Sequence, residues 1–389
     1  MWLFSRMIEQ PLYILAVLFF LIFLSEYLCK HTFLKHISSS LLVIILGAIV
    51  ANLELIPSAS DATPVYDAIF QYVAPASIFF LLLGVNLKQL KKAGLPMLIA
   101  FVLGSAGTMI GVVVALQLID YQAVFGVNYA AIAGMMTGTY TGGSANFNAV
   151  ALHYEVFREG AIFTGVVVAD NIVTAVWMMI TLSIPVFMQK IRPHKEVIKG
   201  DNHDGEAERE EEAINPSNLA ILLAVGVAAI WISNELSAWM EAAGFGIPSI
   251  LILTTIALIL AQVGTVQRIA GAKLLGMFAV YLFLVVVGAY CEIGALVSVG
   301  AHAFDILLFT VMIVVIHGVF LLICGVLLKS DWSIIAVASQ ANIGGASTAL
   351  ALAKSVKRND LILPSILAGS LGYGLGTYLG FLVAGILGG

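Results

Sequence analysis

The chain is apolar over most of its length but turns polar twice around a Gly-Gly pair, in Thr139-Tyr140-Thr141-Gly142-Gly143-Ser144-Ala145-Asn146-Phe147-Asn148 and in Ser339-Gln340-Ala341-Asn342-Ile343-Gly344-Gly345-Ala346-Ser347-Thr348. The two stretches lie at matching places in the two halves of a chain of 389 residues. Interrupted backbone at membrane depth is tolerated only where protein buries it or where it lines a watery cavity. A matched pair of Gly-interrupted apolar segments indicates the binding site of a secondary transporter.

The composition predicts an all-α membrane protein. Hydrophobic residues make up 61% of the sequence and charged residues 11%, with a mean hydropathy of +1.03, whereas a soluble domain has roughly 25% charged residues. Apolar runs of about 20 residues are long enough to cross a bilayer. Such runs recur along the whole chain and predict twelve or thirteen helices. They cover 11–28, 38–53, 72–87, 95–118, 127–152, 160–188, 217–236, 248–266, 272–290, 303–328, 332–353 and 361–387.

The sequence argues against several other classes of protein. The net charge is −5 and the basic residues are scattered, so we expect no nucleic acid partner. Cys29, Cys291 and Cys324 lack metal-ligand or redox spacing, and no nucleotide-binding or zinc-protease motif is present. We therefore expect no cofactor, no metal other than a transported Na⁺, and no enzymatic activity. The first apolar run has no cleavage site and is expected to be a retained anchor.

One polar gap divides the chain into halves of similar size. Residues 191–215 run from basic to acidic and predict a solvent-exposed linker between a first transmembrane repeat, 1–190, and a second, 216–389. When the two Gly-Gly pairs are aligned, Ala149 falls on Ala351, and similar apolar runs precede and follow both pairs. This common order favours an internal repeat.

The lysines and arginines bear on orientation, because cytoplasmic loops are richer in them. If twelve helices simply alternate, the 18 Lys and Arg residues divide equally between the two sides, and the preferred side differs between the two halves. Opposed halves indicate an inverted repeat. Two inverted six-helix units require an odd number of crossings between equivalent points. We therefore expect either a thirteenth helix or one apolar run that does not cross.

Four stretches carry a resemblance to a known family: Met136-Thr137-Gly138 to Ala151, Val168-Ala169-Asp170-Asn171, Ala341-Asn342-Ile343-Gly344-Gly345, and Leu371-Gly372-Tyr373-Gly374-Leu375-Gly376-Thr377-Tyr378. Over almost its whole length the chain resembles the YjcL-like family, a domain-of-unknown-function family of bacterial and plastid membrane proteins. That family is distantly similar to the superfamily of cation–proton antiporters and of bile acid, arsenite and related transporters. The similarity implies two inverted repeats, a scaffold, a core with a crossing pair of discontinuous helices, and a homodimer formed through the scaffold.

The two polar stretches are the candidate site for a substrate or an ion. A helix broken at mid-membrane leaves N–H groups that suit anions and carbonyl oxygens that suit cations, and glycine lets backbone approach a ligand closely. The alternative is that the small and hydroxyl residues only pack helices against one another. The candidate residues are Thr139, Thr141, Gly142, Gly143, Ser144, Asn146, Asn148, Gln340, Asn342, Gly344, Gly345, Ser347 and Thr348.

Asp170 is the strongest single candidate, with Asn171 beside it in the middle of an apolar run. An intramembrane acid is costly unless it is partnered and marks a functional site by default, so we expect Asp170 to couple transport to H⁺ or Na⁺. The alternative is an acid that broken-helix amides hold in place. His317 is a second candidate for a proton relay, with a hydrogen bond to a neighbouring helix as its alternative.

Five further residues have simpler interpretations. Glu292 and Asn86 fall at the ends of apolar runs and are expected at the membrane interface. Gly372, Gly376 and Gly380 repeat every four residues and predict a seam where two helices pack closely.

The sequence therefore predicts a secondary active transporter of the cell membrane, plasma or inner. It moves a small organic anion or cation by alternating access, with symport or antiport of H⁺ or Na⁺. Its expected partners are membrane lipids, the solute and a second copy of the chain. A channel or a non-transporting scaffold is the alternative. An intramembrane serine hydrolase, with Ser144 as nucleophile and His317 as base, is a remote one, because Ala346 replaces the serine in the second half.

Overall fold

The computed structural model describes residues 10–32, 39–58, 63–85, 87–191, 215–291 and 300–388. Within these ranges the chain is almost entirely helical and contains no β-strand, which confirms the predicted all-α membrane fold. Glu292, Asn86 and most of the predicted linker lie outside the described residues. The division into two repeats joined by that linker stays a prediction.

The helices follow the same order in both halves of the chain: one long, one short, two long, a pair of short helices, and one long. The first half contains α1 (Pro11–His31), α2 (Ser39–Asn52), α3 (Pro64–Leu82), α4 (Leu95–Gln117), the pair α5 (Tyr129–Gly142) and α6 (Ser144–His153), and α7 (Gly160–Ile191). The second half contains α8 (Pro216–Ala242), α9 (Ser249–Leu260), α10 (Ala272–Ala289), α11 (Ala303–Leu327), the pair α12 (Trp332–Ile343) and α13 (Gly345–Ser355), and α14 (Ile362–Ile386). Shorter helical turns lie in the connections.

The long helices are long and apolar enough to cross a membrane, and there are eight of them in the described part of the chain. The helices α2 and α9 are apolar but shorter. The residues at the starts of α1, α3 and α8 explain why these helices begin there. Pro11, Pro64 and Pro216 occupy the first turn of α1, α3 and α8, where a missing N–H costs nothing. The side chains of Thr63 and Asn215 cap α3 and α8 by accepting backbone N–H groups.

The pair α5–α6, here named hairpin 1, turns back on itself at the Gly-Gly pair. Gly143 has a left-handed φ of 93°, a conformation that glycine adopts without strain. If the two helices continued in one direction, Gly134 and Val150 would be roughly 24 Å apart. Instead, a Cβ atom built on Gly134 would lie 3.2 Å from the Val150 side chain. The two helices therefore pack antiparallel.

The pair α12–α13, here named hairpin 2, turns back in the same way. Gly345 has a φ of 78° at the turn. Arg358, beyond the end of α13, donates a 2.8 Å hydrogen bond to Asp331, which caps the start of α12. The two open ends of this hairpin are therefore held together.

These hairpins correct the expected crossing of two discontinuous helices. The apolar runs 127–152 and 332–353 do not pass through the molecule, because the chain reverses at each Gly-Gly pair. One apolar run in each half is thus not a crossing. Each half then has six apolar runs, of which five can cross, and five is the odd number that an inverted repeat requires. No thirteenth helix is needed.

The hairpins enter from opposite faces and meet at the middle of α14. Tyr129, at the start of hairpin 1, donates a 2.8 Å hydrogen bond to the Leu387 carbonyl beyond the end of α14, whereas hairpin 2 leads directly into the start of α14. Gly142 contacts Gly372 so closely that a Cβ on either residue would overlap the backbone of the other, and Gly369 packs similarly against the start of α13. We name the open end of hairpin 1 face 1 and that of hairpin 2 face 2.

The predicted glycine seam lies between α14 and α5. A Cβ on Gly376 would lie 2.7 Å from the Gly138 carbonyl oxygen, and one on Gly380 would lie 2.7 Å from that of Gly134. Glycine is therefore needed for the close approach of these two backbones.

The helices separate into two bundles. The core bundle contains both hairpins with α4, α7, α11 and α14, and the outer bundle contains α1, α2, α3, α8, α9 and α10; contacts are far more extensive within each bundle than between them. Each half of the chain gives its first three helices to the outer bundle and the rest to the core bundle.

Candidate functional site

A cavity of about 610 Å³ lies between the two bundles, at the tips of both hairpins. The core bundle supplies most of its wall, and the outer bundle supplies Ser40 of α2 with Val280 and Leu284 of α10. The structure brings many of the candidate residues from the two halves of the chain to this one place. Those that line the cavity are Thr139, Gly143, Ser144, Asn148, Asp170, Asn171, Gln340, Gly344 and Thr348.

Asp170 is the only ionisable side chain among the described residues that line this cavity. It lies on α7, one turn before Thr174, whose hydroxyl donates a 3.2 Å hydrogen bond to Asp170 Oδ1. The hydroxyl of Tyr140, on hairpin 1, lies near the same carboxyl group. Neither partner carries a positive charge, so an ionised Asp170 has no counter-ion from these two groups. It is therefore suited to take up a proton or a cation.

Asn171 also lines the cavity, but its amide is already engaged with its own helix. Asn171 Nδ2 donates a 2.8 Å hydrogen bond to the Val167 carbonyl, one turn earlier in α7. This hydrogen bond ties the Asn171 side chain to α7 beside Asp170.

The tip of hairpin 1 is held to α14 by Asn146, which does not line the cavity. Asn146 is fully buried. Its Oδ1 accepts from the backbone N–H of Thr377 at 3.0 Å and from the Thr377 hydroxyl at 2.7 Å, and its Nδ2 donates to the Gly372 carbonyl. Thr141 and Gly142 are buried beside the same helix. These three candidates therefore position the tip.

The candidate residues at the tip of hairpin 2 also fall into two groups, those that line the cavity and those that do not. Gln340 lines the cavity, and its Oε1 accepts a 3.0 Å hydrogen bond from Thr181 of α7. Asn342 lies outside the cavity lining, with its amide 3.0 Å from the Ser105 hydroxyl on α4. In the amide orientation that gives both its nitrogen and its oxygen a partner, Asn342 Nδ2 donates to the Phe101 carbonyl of α4 and to the Ala338 carbonyl of α12, each at 3.2 Å. Gly345 forms the turn, and Ser347 is exposed away from the cavity.

His317 lies inside the core bundle and does not line the cavity. Its Nδ1 lies 2.9 Å from the Gly104 carbonyl oxygen and its Nε2 lies 2.9 Å from Ser339 Oγ, which in turn accepts from Trp177 Nε1. These contacts join α4, α7, α11 and α12. They place the imidazole against Ser339, so it is not positioned as a base for Ser144.

Several lining residues were not singled out from the sequence. Thr174 follows Asp170 by one helical turn, and this spacing is a signal that a search for partners of the acid would find. Thr181, which lies behind the cavity lining, was not singled out either; it follows Trp177 by one turn and donates a hydrogen bond to Gln340. Ser40 and the α10 residues come from the other bundle, and nothing in their local sequence distinguishes them from other residues of apolar helices.

Aromatic side chains close the interface between the bundles on face 1. Phe70 and Phe283 belong to the outer bundle, and Phe157 and Phe163 belong to the core bundle and its face-1 connection. The ring centroids of Phe70 and Phe157 are 4.1 Å apart, those of Phe157 and Phe283 5.9 Å, and those of Phe163 and Phe283 6.3 Å. Tyr290 packs edge-on against Phe70 at 5.4 Å. We name these five residues the face-1 cluster.

Polar contacts cross the same interface beside the cluster. Cys291, at the end of α10, has its Sγ 2.8 Å from the Thr164 hydroxyl and donates to the Gly160 carbonyl at 2.9 Å. Arg158 lies 3.7 Å from Asp67 at the start of α3. Face 1 is therefore sealed by both apolar and polar contacts between the bundles.

Comparison with known proteins gives two findings. A model of the family described as "Protein of unknown function (DUF819)" matches residues 13–388. A protein of Bacillus subtilis (strain 168) described as "Uncharacterized membrane protein YjcL" is 30% identical over 360 residues, which cover 88% of this chain and 88% of that protein.

Proposed function

The chain belongs to the DUF819 family of membrane proteins, and from the geometry of its cavity we propose that it is a secondary active transporter for a small solute. The observation that carries this proposal is the cavity between the two bundles that is lined by both hairpin tips and by an acidic residue. A binding site built from interrupted helices at the meeting point of two related halves is typical of secondary transporters.

The two bundles supply the parts that alternating access requires. The cavity reaches Ser40 at the second residue of α2, at the end of that helix opposite to Asn52. Asn52 itself lies at face 1, where its Nδ2 donates a 2.7 Å hydrogen bond to the Cys291 carbonyl. The cavity thus extends towards face 2, while the face-1 cluster separates it from face 1. We infer that this is the conformation open to face 2, and that transport moves the core bundle against the outer bundle.

The order of the helices supports an inverted repeat. Both halves contribute the same sequence of long helices, a short helix and a hairpin, and the two hairpins enter from opposite faces. In an inverted repeat, each half can take up the conformation of the other when the core bundle moves. One conformation of the protein then closes face 1, and the other closes face 2.

The hairpins also change the distribution of basic residues between the two faces. Among the described residues, every Lys and Arg but Arg158 lies at face 2, and those at face 2 are Lys30, Lys88, Lys91, Lys92, Lys190, Arg268, Lys273, Lys329, Lys354, Lys357 and Arg358. The equal division expected from twelve alternating helices is wrong, because the two runs that form hairpins do not change sides. Since cytoplasmic loops are rich in basic residues, we propose that face 2 is cytoplasmic.

We propose that Asp170 couples transport to H⁺ or Na⁺. The carboxyl group faces hydroxyl groups and lines the cavity without a basic partner among the described lining residues. Neutral oxygens from Thr139, Ser144 and Asn148 line the same cavity, and such oxygens suit Na⁺. Binding or release of the cation changes the charge of the site, and this links it to the movement of the solute.

A channel is the second candidate function, because a polar interruption between helices also serves ion conduction. The seal at face 1 favours the transporter, since a channel needs a continuous path. A non-transporting scaffold gives no reason for an acid in the cavity. Neither an enzyme nor a cofactor is part of the proposal, and the separation of His317 from the cavity that holds Ser144 removes the support for a hydrolase.

The proposal is tested with the full-length protein in proteoliposomes. Uptake of radiolabelled monocarboxylates, dicarboxylates, amino acids and organic amines is measured with an imposed Na⁺ or pH gradient and without one. Saturable uptake that requires a gradient is the expected result. Conductance that rises linearly with concentration would establish the channel instead. The absence of any flux across the whole panel would leave the scaffold and overturn the transporter.

A further inference from the structure

The Gln340 amide lies at the tip of hairpin 2 with a donor that has no acceptor. The side chain is fully buried and lines the cavity. Its Oε1 accepts from the Thr181 hydroxyl at 3.0 Å, which directs the nitrogen towards the turn. No hydrogen-bond acceptor for Nε2 is found among the described residues. A buried amide N–H without an acceptor is rare in proteins, and a ligand oxygen at the tip would satisfy it.

The start of α13 lies against the same nitrogen. A Cβ atom built on Gly344 would overlap both the Thr348 hydroxyl and Gln340 Nε2, so both groups lie against the Gly344 backbone. Gly344, at the N-cap position of α13, has no side chain with which to cap the helix, and the first N–H groups of α13 have no side-chain cap. Eleven residues follow in α13, so its N-terminus carries the partial positive charge of an ordinary helix. Together, these donors form a place for an anionic group.

The charges around the cavity determine when an anion can bind there. Among the described residues, no Lys, Arg or His lines the cavity, and Asp170 is the one ionisable residue of that lining. Tyr140 and Thr174 are the side chains that face Asp170 directly, and neither is basic. An anion in the same low-dielectric cavity is repelled by an ionised Asp170. A bound Na⁺ or a proton on Asp170 removes that repulsion.

We propose that the tip of hairpin 2 binds a carboxylate group of the transported solute, through Gln340 Nε2 and the first backbone N–H groups of α13, and that this carboxylate binds together with the cation that neutralises Asp170. This inference rests on the proposed transporter function and narrows it to symport of a small organic carboxylate. Antiport is disfavoured, because it would require the cation to leave before the carboxylate binds.

The test measures binding to the purified full-length protein by thermal shift, followed by calorimetry for each carboxylate that stabilises it. The panel contains mono- and dicarboxylates of two to six carbons and α-amino acids, each matched with its neutral amide and with an amine of the same size. Every compound is tested with Na⁺ and with choline, at neutral and at acidic pH. The variants are Gln340→Met, which has no donor, and Asp170→Asn. The control is Gln262→Met in the outer bundle, where Gln262 Nε2 donates to Val85 and Leu258 carbonyls.

We expect at least one carboxylate, and neither its amide nor its amine, to bind the wild-type protein when Na⁺ or acidic pH is present. Gln340→Met should weaken this binding about tenfold or more, the usual effect of losing a hydrogen bond to a charged group. Asp170→Asn should bind the carboxylate equally well with Na⁺ and with choline. Gln262→Met should keep the wild-type affinity.

Three results would overturn the proposal: no carboxylate in the panel binds, binding survives in Gln340→Met, or carboxylate binding to the wild type is independent of both cation and pH. If Gln340→Met does not fold, Gly344→Ala replaces it, because the added methyl group would meet the Gln340 and Thr348 side chains and would displace Gln340 Nε2. Gradient-driven uptake of an amine with no carboxylate binding would overturn this inference while leaving the transporter intact. The absence of all flux would remove the transporter itself.

Discussion

Arg358 Nη1 donates a 2.8 Å hydrogen bond to Asp331 Oδ2 and joins the two ends of hairpin 2 across 27 positions of sequence. Arg358 also makes two hydrogen bonds with Asp360, at 2.7 and 2.8 Å. The hydrogen bond with Asp360 and the contact with Asp331 raise the pKa of the guanidinium, which stays charged. Both side chains of the 2.8 Å pair are nearly buried, at 11% and 13% exposure.

Arg358→Met is expected to lower the free energy of unfolding by about 2 kcal/mol, since hydrogen bonds to charged groups contribute about that much. Thermal unfolding of the purified protein provides the measurement. Arg158→Met, whose ion pairs at face 1 are largely exposed, serves as the matched control and should change stability by less than about 1 kcal/mol. An equal effect of the two substitutions would mean that the hydrogen bond between Arg358 and Asp331 does not hold the two ends of hairpin 2 together.

Asp170→Asn is expected to abolish gradient-coupled transport while the protein remains folded. Asparagine has almost the same shape but cannot take up a proton or carry a charge. The measurement is uptake into proteoliposomes as a function of the Na⁺ and pH gradients, with thermal unfolding as the control for folding. Asp305→Asn is a matched substitution near the start of α11, outside the cavity lining, and should leave uptake unchanged. Normal uptake by Asp170→Asn at every pH and Na⁺ concentration would contradict a coupling role.

Gly142→Ala and Gly143→Ala are expected to differ although the two positions are adjacent. A methyl group on Gly142 would overlap the Gly372 backbone, whereas one on Gly143 would meet only the Tyr373 side chain at 3.5 Å or more. We expect Gly142→Ala to cost about 3 kcal/mol or more through overpacking against backbone and Gly143→Ala about 2 kcal/mol, because its φ of 93° and ψ of 176° suit glycine. Thermal unfolding of both variants compares them directly. A larger loss for Gly143→Ala would show that the tip of hairpin 1 is not held against α14.

Thr164→Cys is expected to lock the seal at face 1 by forming a disulfide with Cys291. The Thr164 Oγ1 and Cys291 Sγ atoms are 2.8 Å apart, which is close enough for a bond of about 2.0 Å after a small rotation. Transport should stop under oxidising conditions and return when the disulfide is reduced. Thr164→Cys combined with Cys291→Ser is the control and should transport under both conditions. Undiminished transport by a fully cross-linked protein would mean that the face-1 interface does not need to open.

Cysteine labelling of intact cells tests the proposed orientation. Cys29, Cys291 and Cys324 are first replaced by serine, and a single cysteine is then placed at Arg158 or at Lys329, both of which are exposed. A membrane-impermeant maleimide should label Arg158→Cys on intact cells and Lys329→Cys only after permeabilisation, because the basic face is expected inside. The reverse pattern would place face 2 outside.

The membrane class and most helix positions were predictable from the sequence alone. Runs such as 95–118 and 303–328 agree with α4 and α11 within a residue or two, because hydropathy over about 20 residues is a local property and the bilayer demands it. The sequence also identified both Gly-Gly pairs as interruptions, since glycine and clustered amides are unusual inside apolar helices.

Only the tertiary structure decided what the interruptions do. The direction of the chain after Gly143 or Gly345 depends on packing against α14, through contacts such as Gly142 with Gly372 that join positions more than 200 residues apart. Packing also decides which candidate site residues line the cavity. Asn146 and Asn342 hold the hairpins in place, whereas Gln340 and Asp170 reach the cavity. The sequence by itself therefore determined which residues are unusual for a membrane interior, and long-range packing determined which of them meet and on which face each loop emerges.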